Sequence, residues 1–174
     1  APSYGQSISR IGTTITFHIP CLFDVGAAGK GFLIDRIAEL IAPEHDQYVI
    51  DGSGDLLVHT NQPERIGLED PRDDTRVIGE VHLTNQALCA SATNRRSWGD
   101  GIHHIIDGRT GKPVNDVFAT WVITDTAMLA DGLVSALFYI SPEQLSALYP
   151  TVEMVIIHSD ERVYQSLGPN GTLY

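Results

Sequence analysis

Basic residues are scarce in this chain. Its 174 residues include 11 Lys and Arg against 22 Asp and Glu, which gives a formal net charge of -11 at pH 7. This balance argues against nucleic acid and anionic membrane surfaces as partners, because both attract basic proteins. An acidic protein that handles a phosphate needs a cation between the two, so the composition fits a metal site without requiring one.

Cysteines and long apolar runs are also rare. Cys21 and Cys89 lie in apolar surroundings without Cys-x-x-Cys spacing, which predicts two buried thiols, with a single disulfide as the less frequent alternative. No apolar run approaches the roughly 18 residues of a membrane-spanning helix, and no signal peptide is recognisable. The first residues, Ala-Pro-Ser, are typical of a processed end, so earlier removal of an export signal stays open and the localisation is undetermined.

The rest of the composition is that of one globular domain, with 43% hydrophobic and 19% charged residues. Alternating apolar and polar residues predict strands at 13–19, 47–50, 56–60, 65–69, 77–83 and 87–91. The strand at 13–19 is predicted to be half-buried, and the last four are expected to form an antiparallel meander. A hairpin is predicted from 152–158 and 162–166, whereas the tail from Gly168 is predicted to be a loose turn.

Helical periodicity predicts two main helices, at 30–41 and 127–138. The apolar face of the first is expected to comprise Phe32, Leu33, Ile37, Leu40 and Ile41. Ser141-Pro142-Glu143-Gln144 has the pattern of a capping box and predicts a short third helix to Tyr149. We therefore predict a single α+β domain over residues 1–174, in which an antiparallel sheet packs against a few helices.

The residue types that carry chemistry concentrate between 103 and 138. The segment 103–111, His-His-Ile-Ile-Asp-Gly-Arg-Thr-Gly, sets two histidines, an aspartate and an arginine around a glycine turn. In the following helix Asp131 and Ser135 are four residues apart, which places both oxygens on one face. Such a pair suits a hard cation such as Mg2+, which shares its shell with water and phosphate. By itself, a His-His pair in a strand is more often structural than catalytic.

Two glycine-rich stretches and an arginine pair precede this segment. The stretch 24–35 begins the first helix with small residues, as close backbone approach to a ligand requires. A P-loop is excluded, because the glycines are too close together and Gly31 stands where Ser or Thr belongs. A turn that binds nothing explains 24–35 equally well. An Asp-Gly-Ser-Gly-Asp run such as 51–55 is by itself more often a turn without a ligand. Arg95 and Arg96 either contact a phosphate or lie in a solvated turn.

Taken together, these segments resemble the ApbE family of FAD:protein FMN transferases. The segment 104–111 is similar to the family's His-Ile-Ile-Asp-Pro-Arg-Thr-Gly, with Gly108 in place of proline. The helix at 126–137 is similar to Thr-Ala-x-x-Ala-Asp-x-x-x-Thr-Ala-Leu, with Ser135 in place of threonine but the hydroxyl kept. The stretches 24–35 and 51–55 resemble Asp-x-Gly-Gly-x-Ala-Lys-Gly-Tyr-x-x-Asp and Asn-x-Gly-Gly-Asp. These four motifs follow the family's order.

The resemblance implies an ApbE-like, T-fold-like domain with a defined site. It assigns the metal Mg2+ to the Gly29 carbonyl, Asp131 and Ser135. It assigns FAD binding to Lys30, Asp55, Ser91, Arg95, His104 and Ile105. It makes His104 and Asp107 the catalytic residues, with His104 accepting the proton of the attacking hydroxyl.

The implied reaction moves the FMN moiety of FAD onto a Thr or Ser of an acceptor flavoprotein and releases AMP. FAD hydrolysis is the expected side reaction when no acceptor is present. Since Asp107 is three residues from His104, we expect the acidic neighbour to favour the protonated imidazole in the absence of metal. Proton acceptance needs the neutral form, so activity should rise with pH through the range in which histidines titrate.

The resemblance covers only the C-terminal part of the family's pattern. Members usually carry a further long stretch before the first motif, and we expect this chain to lack that N-terminal portion. The alternative to an enzyme is therefore a non-catalytic module that binds a flavin or a partner. Whether a second chain or a dimer partner completes the pocket stays open, and family members are typically bacterial extracytoplasmic or membrane-anchored proteins.

Overall fold

The computed structural model describes residues 3–22, 24–99 and 101–174. Its helices are α1 (Tyr4–Ser7), α2 (Gly26–Ile41), α3 (Ala127–Ala136) and α4 (Pro142–Leu148). Its strands are β1 (Ile8–Ile11), β2 (Thr14–Phe17), β3 (Tyr48–Asp51), β4 (Leu56–His59), β5 (Glu64–Asp70), β6 (Asp73–Leu83), β7 (Gln86–Ala92), β8 (Ile106–Asp107), β9 (Lys112–Pro113), β10 (Val117–Thr124), β11 (Glu153–His158), β12 (Val163–Gln165) and β13 (Gly171–Leu173).

A six-stranded antiparallel sheet, in the order β12-β11-β10-β7-β4-β3, separates two hydrophobic cores. Because side chains alternate along a strand, β10 contributes to both. Its Val122 packs with Ile34 and Val134 in the core beneath the helices. Its Trp121 and Ile123 belong to the core shared with β5 and β6. The described domain therefore has helices on one face of the sheet and a second sheet on the other, which confirms the predicted α+β class.

The predicted four-stranded meander over 56–91 is wrong in its pairing, although its strands exist. β4 pairs directly with β7, while β5 and β6 leave this sheet and form a three-stranded one in the order β13-β6-β5. The reason is burial: the apolar side chains Leu68, Val81 and Leu83 cover the outer face of the central sheet. A single meander would leave the face of the sheet opposite the helices exposed to solvent.

The predicted loose tail is also wrong. Residues 171–173 form β13, which pairs antiparallel with β6. Gly79 allows this contact, because a Cβ at that position would lie 2.3 Å from the Thr172 carbonyl oxygen. A glycine in a strand often marks such a close backbone approach.

Helix α2 differs from its prediction in both its start and its buried face. It begins at Gly26 rather than at residue 30. The face turned to the core comprises Gly31, Ile34 and Ala38, whereas the residues predicted to be buried are exposed or only half-buried: Phe32, Leu33, Ile37, Leu40 and Ile41. Periodicity alone could not choose between two apolar faces of one helix.

The N-terminal hairpin is a second departure. The predicted half-buried strand over 13–19 is β2, which pairs with β1 and is exposed along its whole length. Cys21 is exposed as well, so only Cys89 matches the prediction of buried thiols, and both are free. Among the described residues, no helix is long and apolar enough to span a membrane.

The elements after residue 117 follow the sequence pattern closely. α3 begins after Thr126, and α4 begins at Pro142 with the predicted capping box at Ser141. β11 and β12 form the predicted hairpin. The sequence predicts these segments correctly because their start signals are local: a cap, a proline and a short turn.

We expect the two faces of α2 to respond differently to truncation. Ile34 is 3% exposed and Leu33 is 58% exposed. Ile34→Ala should lower the free energy of unfolding by about 2–5 kcal/mol, because it opens a cavity in the helix-side core. The matched control Leu33→Ala should stay within about 0.5 kcal/mol. Urea unfolding monitored by circular dichroism measures both, and equal losses would contradict the assigned faces.

Candidate active site

The centre of the candidate site is a close contact between α2 and α3. The Gly31 amide of α2 donates to Oδ2 of Asp131 on α3 at 2.9 Å. No side chain fits at Gly31, because a Cβ there would lie 2.2 Å from the Ala127 carbonyl oxygen. The glycine therefore lets the second helix come close enough for its carboxylate to reach a backbone amide of the first.

A second carboxylate links the same helices in the opposite direction. Asp35 of α2 accepts hydrogen bonds from the Ala127 amide at 2.8 Å and from the Met128 amide at 2.9 Å. These are the first two amides of α3, which have no partner inside their own helix. Asp35 thus caps α3 from the neighbouring helix.

Lys30 and Asp55 form the charged pair beside this contact. Nζ of Lys30 lies 2.9 Å from Oδ2 of Asp55, and the side chains are 46% and 2% exposed. Among the described residues, no contact to that oxygen has the geometry of a hydrogen bond, and this includes the contact from Lys30. The pair is thus mainly electrostatic, and the lysine keeps a solvent-exposed side. Its ammonium can donate there to a ligand.

Electrostatics tie Asp131 to this pair. Burial raises the pKa of Asp131, and the nearby Asp55 raises it further, while the Gly31 amide and Lys30 act in the opposite direction. Burial also raises the pKa of the Cys89 thiol, with Asp55 and Asp131 adding to the effect. The cluster of Lys30, Asp55, Cys89 and Asp131 therefore has two carboxylates and one cation, and the thiol remains neutral.

The residues around Asp131 fit a hard divalent cation. Carboxylate and hydroxyl oxygens suit Mg2+, and Ser135 is half-buried one helical turn after Asp131. A cation bound there would reduce the electrostatic repulsion between the carboxylates of Asp55 and Asp131, which Lys30 reduces only in part. Within the described residues, no group of three or more His, Cys, Asp or Glu side chains is arranged to hold a metal. Serine, backbone, water and substrate oxygens would have to complete the shell.

Gly29, the third predicted ligand, lies in a different setting from the one expected. The sequence pattern placed it in a loop before the helix, but α2 already begins at Gly26. Gly29 is therefore in the first turn, where a carbonyl is directed along the helix axis towards the residue four positions later. Its carbonyl is thus helical rather than part of a loop.

The two neighbouring histidines of the segment 103–111 have opposite environments. His103 is buried, its Nε2 donates to the Val114 carbonyl at 2.9 Å, and its Nδ1 accepts from the Ile105 amide at 3.3 Å. Both nitrogens are therefore used, which makes His103 structural. His104 is exposed, and its Nδ1 lies 3.3 Å from the Arg96 carbonyl oxygen. Since a carbonyl only accepts, the neutral tautomer that makes this bond carries its proton on Nδ1 and leaves the lone pair on Nε2.

Asp107 bonds to Arg109 rather than to His104. Its two oxygens accept from the Arg109 guanidinium at 3.0 and 2.9 Å, and the Arg109 amide also donates to it at 2.8 Å. These hydrogen bonds lower the pKa of Asp107. The Asp107 carbonyl oxygen also accepts a hydrogen bond from the Gly111 amide, so Asp107 stabilises this turn.

The other predicted FAD-binding residues are more dispersed. Arg95 is exposed and forms an ion pair with Glu69 at 2.6 Å, as expected of a solvated turn. Ile105 is buried in the helix-side core. Ser91 lies half-buried on β7, two positions from Cys89 and thus on the same face of that strand. The structure brings Lys30, Asp55 and Asp131 together, and Arg95 and Ile105 have partners of their own.

Sequence reasoning missed two residues of this site. It treated Cys89 as a buried thiol and assigned no role to Asp35, although its motif contained that residue. Spacing offers no signal for either, because their partners are distant along the chain. The Cys89 thiol lies 3.6 Å from the Ala127 carbonyl oxygen, and the amides that Asp35 caps belong to α3.

These features define a class of protein: an α+β domain in which an Asp-bearing helix is fixed against the glycine-rich start of another, beside a lysine–aspartate pair. The chain belongs to the ApbE family, whose model matches residues 11–156.

Similar proteins include two curated relatives. A protein of Vibrio cholerae named FAD:protein FMN transferase is 29% identical over 76% of this chain and 43% of its own length. A protein of Treponema pallidum with the same name is 30% identical over 94% of this chain and 51% of its own.

The fold is shared with solved structures. The flavin transferase ApbE from Vibrio cholerae matches with a TM-score of 0.75 and 26% identity, over 92% of this chain and 56% of that one. The ApbE protein from Thermotoga maritima matches with a TM-score of 0.74 and 26% identity, over 83% and 51%. The chain therefore spans about half the length of these relatives.

We expect the Lys30–Asp55 pair to matter more for stability than a surface ion pair. Lys30→Met leaves a carboxylate that is 2% exposed without its cation. The loss should be about 1–3 kcal/mol, at the lower end because Lys30 itself is half exposed. Adding Asp55→Asn should restore part of it, since the uncompensated charge is then gone.

The matched control is Arg162→Met, which removes an exposed pair with Asp160. That change should stay within about 0.5 kcal/mol. Urea unfolding of the single and double variants measures these differences. A Lys30→Met loss no larger than that of Arg162→Met would contradict a buried role for the pair.

Proposed function

We propose that this chain carries the metal- and FAD-binding part of a FAD:protein FMN transferase. The supporting observation is the cluster of Lys30, Asp55 and Asp131 at the α2–α3 contact, in a chain whose family relatives bear that name. The reaction moves the FMN moiety of FAD onto a Thr or Ser hydroxyl of an acceptor protein and releases AMP.

In this proposal Asp131 and Ser135 hold Mg2+. When bound, the ion offsets the negative charge of the pyrophosphate. The Lys30 ammonium donates to a phosphate oxygen on its solvent-exposed side. On its buried side it is paired with Asp55. Lys30, together with the cation that Asp131 and Ser135 would hold, thus aligns the pyrophosphate by charge, which is the main requirement of phosphoryl transfer.

His104 is the proton acceptor. Its Nδ1 is occupied by the Arg96 carbonyl, so Nε2 is the nitrogen that receives the proton. An exposed histidine suits this role, because the nucleophile arrives on another protein. The hydroxyl oxygen forms a bond to the FMN phosphorus, the bond from that phosphorus to the AMP oxygen breaks, and the hydroxyl proton passes to Nε2.

Asp107 has a positioning role in this proposal. Its pairing with Arg109 fixes the turn after His104 and keeps that segment in place. The buried His103 supports the same segment through Val114.

A second candidate function is a non-catalytic module that binds a flavin or a partner. The observation that favours it is the span of about half the relatives' length, since part of the substrate pocket could then lie outside these residues. Flavin binding without transfer would distinguish this candidate from the enzyme.

The test is an incubation of the chain with FAD, Mg2+ and an unmodified acceptor protein that bears a Thr motif of the kind this family flavinylates. Transfer should give covalent flavin fluorescence in the acceptor band of a denaturing gel, and removal of Mg2+ with EDTA should abolish it. Asp131→Asn should reduce transfer at least about 100-fold, because it removes the charged ligand. The control Asp160→Asn, at an exposed surface pair, should transfer normally. FAD binding without any transfer would favour the second candidate.

We expect His104→Gln to lower the transfer rate by about 10²–10⁴, the usual contribution of a general base. Glutamine keeps the hydrogen-bonding capacity but accepts no proton at neutral pH. The rise of the native rate with pH in the histidine range should disappear in the variant. Rates measured from about pH 5 to about pH 9, the range in which histidines titrate, test both statements. A near-native rate with an unchanged profile would remove His104 from the mechanism, and His103 could not replace it because both its nitrogens are bonded.

A further inference from the structure

We infer that Asp35 is a positioning residue, which fixes the start of α3 and thereby the place of Asp131. The side chain lies on α2 and is half-buried. Its importance for a cation site rests on the proposed function above, whereas its effect on Asp131 can be measured in the protein without metal.

Asp35 caps the start of α3 from a neighbouring helix. Each oxygen of Asp35 accepts one backbone amide of α3, that of Ala127 at 2.8 Å and that of Met128 at 2.9 Å. Thr126 supplies the local cap, because its hydroxyl accepts the Leu129 amide at 3.4 Å. A local cap satisfies only part of the first turn. The remaining amides are held by a residue of another helix, so the cap also sets the position of α3 relative to α2.

One helical turn away, another carboxylate–amide bond joins the same helices in the opposite direction. Asp35 and Gly31 are four residues apart on α2, and Ala127 and Asp131 are four residues apart on α3, so each pair shares a face of its helix. Asp35 accepts from Ala127, and Asp131 accepts from Gly31. Carboxylate–amide bonds of opposite direction therefore join the same two turns of the helices.

The contact between the two helices at Gly31 has little room to adjust. The Ala127 carbonyl oxygen lies where a Cβ of residue 31 would be, at 2.2 Å. A shift of α3 at its capped end therefore changes the distance between Asp131 and Gly31 directly. Asp35 bonds to backbone amides alone in these contacts, so it acts through the helix and is not a catalytic residue.

The consequence concerns the metal site that we proposed. Side chains that orient a metal ligand typically contribute 10–100-fold to metal affinity. Without Asp35, Asp131 should lose its fixed place and its bond to Gly31 should open more often.

The experiment compares four proteins: native, Asp35→Asn, Asp35→Ala and the control Glu39→Gln. Glu39 lies one turn further on α2 and is exposed, where it pairs with Arg36. Amide hydrogen exchange, measured by NMR without metal, reports on Gly31 and on the buried strand residue Val122. Asp35→Ala should speed exchange at Gly31 at least about tenfold and leave Val122 unchanged, since a local opening costs less than global unfolding. Asp35→Asn keeps one acceptor oxygen and should give an intermediate change.

A Gly31 amide that exchanges at the native rate in both Asp35 variants would overturn the inference. So would an equal acceleration at Gly31 and Val122, because that indicates global destabilisation rather than lost positioning. Should Asp35→Ala fail to fold, Asp35→Asn alone decides between these outcomes.

A parallel titration with Mn2+, followed by electron paramagnetic resonance, separates this inference from the proposed function. Asp35→Asn should bind Mn2+ about 10–100-fold more weakly than the native protein. Glu39→Gln should bind normally, and Asp131→Asn should show no binding at this site. Absence of Mn2+ binding by the native protein would reject the metal site of the proposed function, while the exchange result would still decide the role of Asp35.

Discussion

The contact between α2 and α3 at Gly31 is the constraint on which the rest of the structure depends. It requires a glycine on one helix and leaves no space for a larger residue. It also brings Asp131 to a backbone amide and Asp35 to the start of the opposite helix. The helix layer over the central sheet is therefore held by hydrogen bonds as well as by apolar packing. The charged cluster lies beside this fixed point, so its geometry is set before any ligand binds.

In this acidic chain, the positive charge of Lys30 acts on two carboxylates, those of Asp55 and Asp131. Asp55 and Asp131 both lie in poorly solvated positions, and Lys30 is the cation beside them. Such a balance favours a bound cation, because a further positive charge lowers the cost of keeping both groups ionised. The Cys89 thiol beneath the cluster adds no charge, since burial and the two carboxylates favour its neutral form.

The segment 103–111 shows how adjacent residues of one type acquire different roles. His103 is turned into the protein and satisfies two backbone groups, whereas His104 is exposed with one nitrogen open. The alternation of side chains along an extended chain is sufficient to separate them. The pair of Asp107 and Arg109 then fixes the turn that follows.

The sequence by itself determined the helix starts at Thr126 and Ser141, the existence of most strands and the family motifs that contain Lys30, Asp55, His104 and Asp131. These features depend on neighbours within a few residues, which a pattern can express. Only the tertiary structure decided which face of α2 is buried, that β5 and β6 form a separate sheet, and that Asp35 caps α3. Each depends on groups far apart along the chain. Their proximity is settled by the burial of apolar surface over the whole domain, and no local spacing encodes it.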